Sequence, residues 1–269
     1  MADDLSGRVA LVTGANQGIG AATALALARL GADVAISYFQ TREDGDEYPE
    51  AFAAERARDG SDVTDAIAEC GRRAFAFEAD FTQPDAPGDL FAAAQDVLGP
   101  IDILVNNASG VRRDTFRAGA TDAIGRVAQM VSAESYDAQF MVNARAGGLL
   151  IAAYAQAAAA RRATWGRIVS LTSGGPMGFP GEASYGAAKA ALDNFTMTAS
   201  SELADFGVTA NVVYPPVTDT GWVTDEVRAF VAQSKDHVHV ADPAQVAEVI
   251  AWLCTDAARL VTGNVIHLR

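Results

Sequence analysis

Seven short apolar runs recur along the chain: Val9 to Val12, Val34 to Ile36, Ala74 to Phe77, Ile101 to Val105, Ile168 to Leu171, Val208 to Val213 and Val265 to Leu268. Most are continuous rather than alternating, the pattern of strands buried on both faces in a parallel sheet. Between them lie alanine-rich stretches, Ala21 to Leu30, Leu90 to Leu98, Ala144 to Ala160 and Ala187 to Ala204, whose length and propensity predict crossover helices. Strand and helix alternating in this way predict a doubly wound α/β fold, with about seven parallel strands and helices on both faces. No linker or internal repeat divides the chain, so residues 1–269 read as one domain. Two stretches break the rhythm, 39–65 and 111–135, and read as insertions bordering a cleft.

Composition narrows the partners more than the fold. Twenty Lys and Arg against 34 Asp and Glu give a net charge of −14, which would repel a nucleic-acid backbone or an anionic membrane. Asp3 and Asp4 stand where a secretory leader carries positive charge, and no apolar run reaches membrane-spanning length. Cys70 and Cys254 lie far apart, with no metal or disulfide spacing. A cytoplasmic protein with a small-molecule substrate is expected. His237 and His239 have same-side strand spacing, but no further ligand completes a set, so no metal site is expected.

The chemistry begins after the first strand, at Thr13-Gly14-Ala15-Asn16-Gln17-Gly18-Ile19-Gly20. Strand, glycine loop and helix in this order place missing side chains and a helix N-terminus where a pyrophosphate can lie. Further along, Tyr185-Gly186-Ala187-Ala188-Lys189 puts a phenol and an ammonium on one helical face, one turn apart. An ammonium near Tyr185 favours phenolate and would make it a general acid/base. Just upstream, Ile168-Val169-Ser170-Leu171-Thr172-Ser173 is a strand ending in hydroxyls.

With Gly-x-x-x-Gly-x-Gly followed by Asn106-Asn107-Ala108-Ser109, the hydroxyl-ended strand and Tyr-x-x-x-Lys, the chain resembles the classical short-chain dehydrogenases/reductases, nearest the 3-oxoacyl-carrier-protein reductase branch. The resemblance runs from about Arg8 to Leu268 and implies a Rossmann fold, a nicotinamide cofactor and hydride exchange between a carbonyl and a secondary alcohol. It further implies a catalytic set of Asn143, Ser173, Tyr185 and Lys189, with Tyr185 and Lys189 also meeting the cofactor. Ser173 is the carbonyl-polarising hydroxyl in this reading, while an ungapped count along the loop to Tyr185 selects Thr172, and both stay open. Asn143, in Phe140-Met141-Val142-Asn143, would hold a relay water and clamp its helix. The implied cofactor cradle comprises Gly14, Asn16, Gln17, Gly18, Ile19, Gly20, Asp80, Phe81, Asn107, Ala108, Pro215, Thr218 and Thr220. Two positions depart from the family pattern: Ser109 replaces a glycine, and so does Pro216.

Tyr38 stands where an NAD-using protein carries a carboxylate for the ribose, and Arg42 is close enough in sequence to take a 2′-phosphate, so NADP(H) is favoured and NAD(H) possible. The resemblance also implies a homo-oligomer, a tetramer or dimer. A non-catalytic scaffold is the alternative, although such relatives normally lose one of the four catalytic residues, and all are present here.

Overall fold

The computed structural model describes residues 4–40, 50–121, 125–175, 178–235 and 238–269. In chain order they form β1 (Val9–Val12), α1 (Gly18–Arg29), β2 (Asp33–Tyr38), α2 (Glu50–Arg56), α3 (Ser61–Glu69), β3 (Ala74–Glu78), α4 (Ala86–Leu98) and β4 (Ile103–Asn106). There follow β5 (Asp114–Thr115), β6 (Gln129–Met130), α5 (Ala133–Phe140), a π-helical turn (Met141–Arg145), α6 (Ala146–Ala160), β7 (Gly166–Leu171) and α7 (Ala183–Glu202). The chain ends with β8 (Val208–Tyr214), α8 (Asp225–Gln233), α9 (Pro243–Leu253) and β9 (Val265–His267).

Seven strands make one parallel sheet in the order β3-β2-β1-β4-β7-β8-β9, and β5 and β6 pair separately. Each of the seven apolar runs read from the sequence lies on one of the seven strands, with ends displaced by no more than a few residues. The pleat of β1 shows why such runs are continuous: Ala10 and Val12 enter one apolar cluster with Ala24, Leu27 and Ile250, while Val9 and Leu11 enter the other with Leu90, Leu150 and Ala210. Helices α1, α3 and α9 cover the first face and α4, α6 and α7 the second, so the fold is doubly wound.

The order reverses between β1 and β4, which run side by side with Val12 opposite Val105. Open parallel sheets carry their ligand crevice at such a switch point, beyond the C-terminal strand ends. The glycine loop, Asn106-Asn107 and the Ser173 loop all leave the sheet at that edge.

Of the stretch 39–65, the described part supplies α2 and the first turn of α3; Val63 and Ile67 anchor α3 in the core. Within 111–135 the backbone pairs Asp114 with Gln129 and Thr115 with Met130. There Arg112 faces Glu134 at 3.5 Å and Arg126 faces Glu182, just before α7, at 3.5 Å, so the arginine-rich stretch is partly neutralised. Arg42 and His237 lie outside the described residues.

Candidate active site

The glycine loop is tied to β4 by one hydroxyl. Thr13 donates its Oγ1 proton to the Val105 carbonyl at 3.3 Å and accepts the backbone N–H groups of Asn107 and Ala108, each at 3.0 Å. Asn107 returns the contact, its Nδ2 donating to the carbonyls of Thr13 and Gly14, both at 2.8 Å. A Cβ on Gly20 would sit 2.4 Å from the Gly14 oxygen and 2.5 Å from Asn107 Nδ2, so this bracing requires a bare backbone there. Gly14 adopts φ +61° against Ala108, a conformation that costs glycine little.

Helix α1 starts here without a side-chain cap from Gln17 and without an acidic residue in its first turn, and the buried Gln17 Oε1 has no partner. An uncapped N-terminus free of negative charge fits the pyrophosphate of a dinucleotide. Gly18 lies against Thr220, whose Cγ2 would be 2.9 Å from an added Cβ, so the loop after β8 comes within reach of the same crevice. In that loop Thr218 is buried and gives its hydroxyl to the Pro216 carbonyl at 2.8 Å. Pro216, which has no N–H to offer, thus serves the turn through its oxygen, next to Pro215. Trp222 donates its indole N–H to the Thr218 carbonyl at 3.0 Å.

At the adenosine end, Ser37 Oγ accepts the Gly14 N–H, and the Asn16 amide donates to the Arg58 carbonyl at 3.0 Å, closing the segment after α2 against the loop. Tyr38 ends β2 beside Gly60. Asp80 turns its carboxylate onto the N–H and hydroxyl of Thr82, at 2.9 and 2.7 Å. Phe81 is core, and Arg145 donates to the carbonyls of Phe81 and Thr82. Ile19 packs partly buried against the α1 side of the core.

The second cluster forms where β7 ends and α7 begins. Asp114 takes the Ser184 N–H at 2.9 Å and the Ser135 hydroxyl at 2.8 Å, pinning the first turn of α7 to the start of α5. Tyr185 lies in that turn, 9 % exposed, with the Phe179 ring 6.0 Å away. The Ser173 and Ser109 hydroxyls both act on its phenol as hydrogen-bond partners. Thr172 turns instead to Asp193, donating to Oδ2 at 3.0 Å. Of the two hydroxyls that the sequence left open, that of Thr172 is thus engaged by Asp193.

Asn143 sits in the π-helical turn, 1 % exposed. Its Nδ2 donates to the Gly110 carbonyl at 2.8 Å, the Gln139 carbonyl at 3.0 Å and Gln139 Oε1 at 3.1 Å. The side chain occupies a carbonyl one turn back that the helical ladder ordinarily uses, a physical reason for the ladder to widen at this residue. Its Oδ1 accepts the Ser109 hydroxyl at 2.8 Å.

Lys189, 2 % exposed, donates to the Leu171 carbonyl at 3.1 Å, with Nζ 5.7 Å from the centre of the Tyr185 ring. Burial lowers its pKa to about 8, opposed by Asp193. Tyr185 is pushed up to about 12, by burial above all, and the Ser109 and Ser173 hydroxyls oppose the rise.

Several participants had no sequence signal of their own. Asp114, Gln139 and Asp193 are polar residues whose roles depend on partners 21 or more positions away or on a helix face; only the need of buried polar groups for partners could have flagged them. Among the described residues no group of three or more His, Cys, Asp or Glu could hold a metal, and no helix is long and apolar enough to cross a membrane.

Comparison with known proteins agrees with this arrangement. The family model for short chain dehydrogenase matches residues 8–229. A 3-oxoacyl-[acyl-carrier-protein] reductase of Synechocystis is 34% identical over 266 residues, covering 98% of this chain and 96% of that one. Among solved structures, the angucycline C-6 ketoreductase LanV with bound NADP superposes with a TM-score of 0.79 at 30% identity, covering 98% of this chain and 95% of that one. A blue fluorescent protein from a metagenomic library, in complex with NADPH, gives a TM-score of 0.80 at 29% identity, with 98% and 97% covered. With a braced glycine loop at the switch point, a Tyr-Lys helix beside it and a family match over most of its length, this chain belongs to the short-chain dehydrogenase/reductase family of oxidoreductases.

Proposed function

We propose that this protein is an NADP(H)-dependent oxidoreductase that interconverts a carbonyl and a secondary alcohol, with Tyr185 as general acid/base. The observation that carries the reading is the grouping around the Tyr185 phenol: Ser109 Oγ at 3.5 Å, Asn143 Oδ1 bonded to that serine at 2.8 Å, and Lys189 Nζ 5.7 Å from the ring centre. Bound in the crevice, the nicotinamide nucleotide supplies or accepts the hydride. Gly14, Asn16, Gln17, Gly18, Ile19 and Gly20 would hold its pyrophosphate, Asp80 and Phe81 its adenine, Tyr38 and Arg42 its 2′-phosphate, and Asn107, Ala108, Pro215, Thr218 and Thr220 the nicotinamide half.

The protein groups then do the following. Ser173 donates to the substrate oxygen as negative charge grows on it. Tyr185 gives that oxygen its proton, and takes one in the reverse direction. Lys189 supplies positive charge beside the ribose and the phenolate, and Asn143, fixed by its amide's contacts to Gly110 and Gln139, holds its helix in register for the relay. Positioning and electrostatics provide the rate, with no covalent intermediate on the protein.

The preference for NADP(H) is supported by the NADP and NADPH complexes among the structural neighbours and by Tyr38 in place of a carboxylate that would repel a 2′-phosphate. A 3-oxoacyl thioester is the more specific substrate reading, supported by the likeness to a 3-oxoacyl-[acyl-carrier-protein] reductase. The homo-oligomer of this reading would cover the exposed Leu149 and Phe195 on α6 and α7.

The test is a fluorescence titration with NADPH and, separately, NADH, followed by a carbonyl screen with a Tyr185→Phe control. Tighter NADPH binding and turnover abolished in Tyr185→Phe are expected. Binding without turnover of any carbonyl would move the protein to a cofactor-binding scaffold.

A further inference from the structure

The hydroxyl of Ser109 occupies a place in the catalytic cluster that the family pattern fills with glycine. Its oxygen lies 2.8 Å from Asn143 Oδ1 and 3.5 Å from the Tyr185 hydroxyl, and so bridges the two. Proton counting fixes the direction of these contacts. Asn143 Nδ2 donates to the carbonyls of Gly110 and Gln139, so Oδ1 is the amide atom turned towards Ser109 and can only accept. Ser109 has a single proton. While that proton is given to Asn143, the serine oxygen meets the phenol as an acceptor.

Loss of the phenolic proton reverses this preference. A phenolate is the stronger acceptor, and a hydroxyl rotates about its C–O bond without moving its oxygen. We propose that Ser109 is a positioning residue that switches its proton from Asn143 Oδ1 to the Tyr185 oxygen when Tyr185 is a phenolate. In the phenol state it accepts; in the phenolate state it donates and stabilises the charge. No bond between heavy atoms changes, and the proton stays on Ser109 throughout.

This deepens the proposed function and rests on Tyr185 as its acid/base. The consequence is a more accessible phenolate: burial pushes the Tyr185 phenol up, and the Ser109 hydroxyl opposes that rise. Ser109 is itself exposed to the crevice, so its replacement leaves the core untouched.

The test pairs Ser109→Ala with Ser109→Thr, which keeps the hydroxyl. In full-length protein carrying 13Cζ-labelled tyrosine, the Tyr185 resonance is the one missing from Tyr185→Phe. At neutral pH, without cofactor or substrate, it is expected to shift in Ser109→Ala and to return towards its original place in Ser109→Thr. In alcohol oxidation, the rise of kcat with pH is expected about one unit higher in Ser109→Ala, an approximately tenfold slower rate on that limb, with cofactor Kd unchanged. A Tyr185 resonance that stays in place in Ser109→Ala overturns the proposal, and so does a superimposable pH profile. Absence of turnover in the unmodified protein would strike the oxidoreductase reading alone, because the resonance measurement needs neither cofactor nor reaction.

Discussion

The carboxylate of Asp114 accepts the backbone N–H of Ser184 at 2.9 Å, across 70 residues of chain, and so fixes the first turn of the helix that carries Tyr185. The second oxygen holds Ser135 of α5. A residue of the short strand β5 thus ties α7, which carries Tyr185, to α5, which leads into the turn that carries Asn143.

Asp114→Ala leaves a buried N–H and a buried hydroxyl without their acceptor, a loss of about 2–3 kcal/mol. For a chain of this size that corresponds to a fall in Tm of about 4–10 °C in a thermal melt. Because Tyr185 follows Ser184 directly, kcat should fall further than stability alone explains at a temperature where the variant is folded. Unchanged kcat in a folded variant would show that α7 keeps its place without this cap.

Gly20→Ala tests the cradle. Its Cβ would meet the Gly14 oxygen at 2.4 Å and Asn107 Nδ2 at 2.5 Å, both fixed atoms of the brace. Nucleotide affinity should drop by more than tenfold in a fluorescence titration, with a smaller effect on Tm. Equal affinity would mean that the loop can open at no cost to binding.

Gly186→Ala addresses the substrate wall rather than the cofactor. A Cβ there would come 2.8 Å from Phe179 Cβ, the residue whose ring lies 6.0 Å from that of Tyr185. The expected outcome is a several-fold change in KM for the carbonyl substrate with nucleotide Kd unaltered. A parallel change in both would place Phe179 in the nucleotide site.

Lys189 gives a pH dependence with a defined sign. Its pKa in the folded protein is lowered from 10.5 to about 8, first by burial, so the ammonium is full near pH 6 and lost as pH rises through 8. Carbonyl reduction should therefore decline above about pH 8. Asp193 raises this pKa, so Asp193→Asn should move the decline to lower pH. Between about 8 and 10.5 the unfolded chain binds a proton that the folded chain has shed, and this group makes stability increase with pH. Lys189→Met should flatten that slope in melts recorded across the window; an unchanged slope would assign it to another group.

The sheet was legible because its cause is local. Strands buried on both faces have nowhere to put polar side chains, and Val9 to Val12 is apolar at every position since its two sets of residues feed two separate cores. The glycine loop and the Tyr185-Lys189 pair were equally legible, since each acts through spacing along one element. That Lys189 lies along the Tyr185 ring and bonds the Leu171 carbonyl was not, because a periodicity gives the face of a helix and says nothing of where a flexible side chain finds its nearest acceptor.

What the sequence by itself determined is the order of strands and helices, the place of the phosphate cradle and the pair at the chemical centre. Only the tertiary structure showed where the Thr172 hydroxyl goes, to Asp193 on the neighbouring helix α7. It also brought Ser109, Asn143 and Tyr185 together across 34 and 76 residues. Contacts of that kind depend on where β4, α5 and α7 end relative to one another, and that is set by packing of the whole sheet and its helices, which no local pattern encodes.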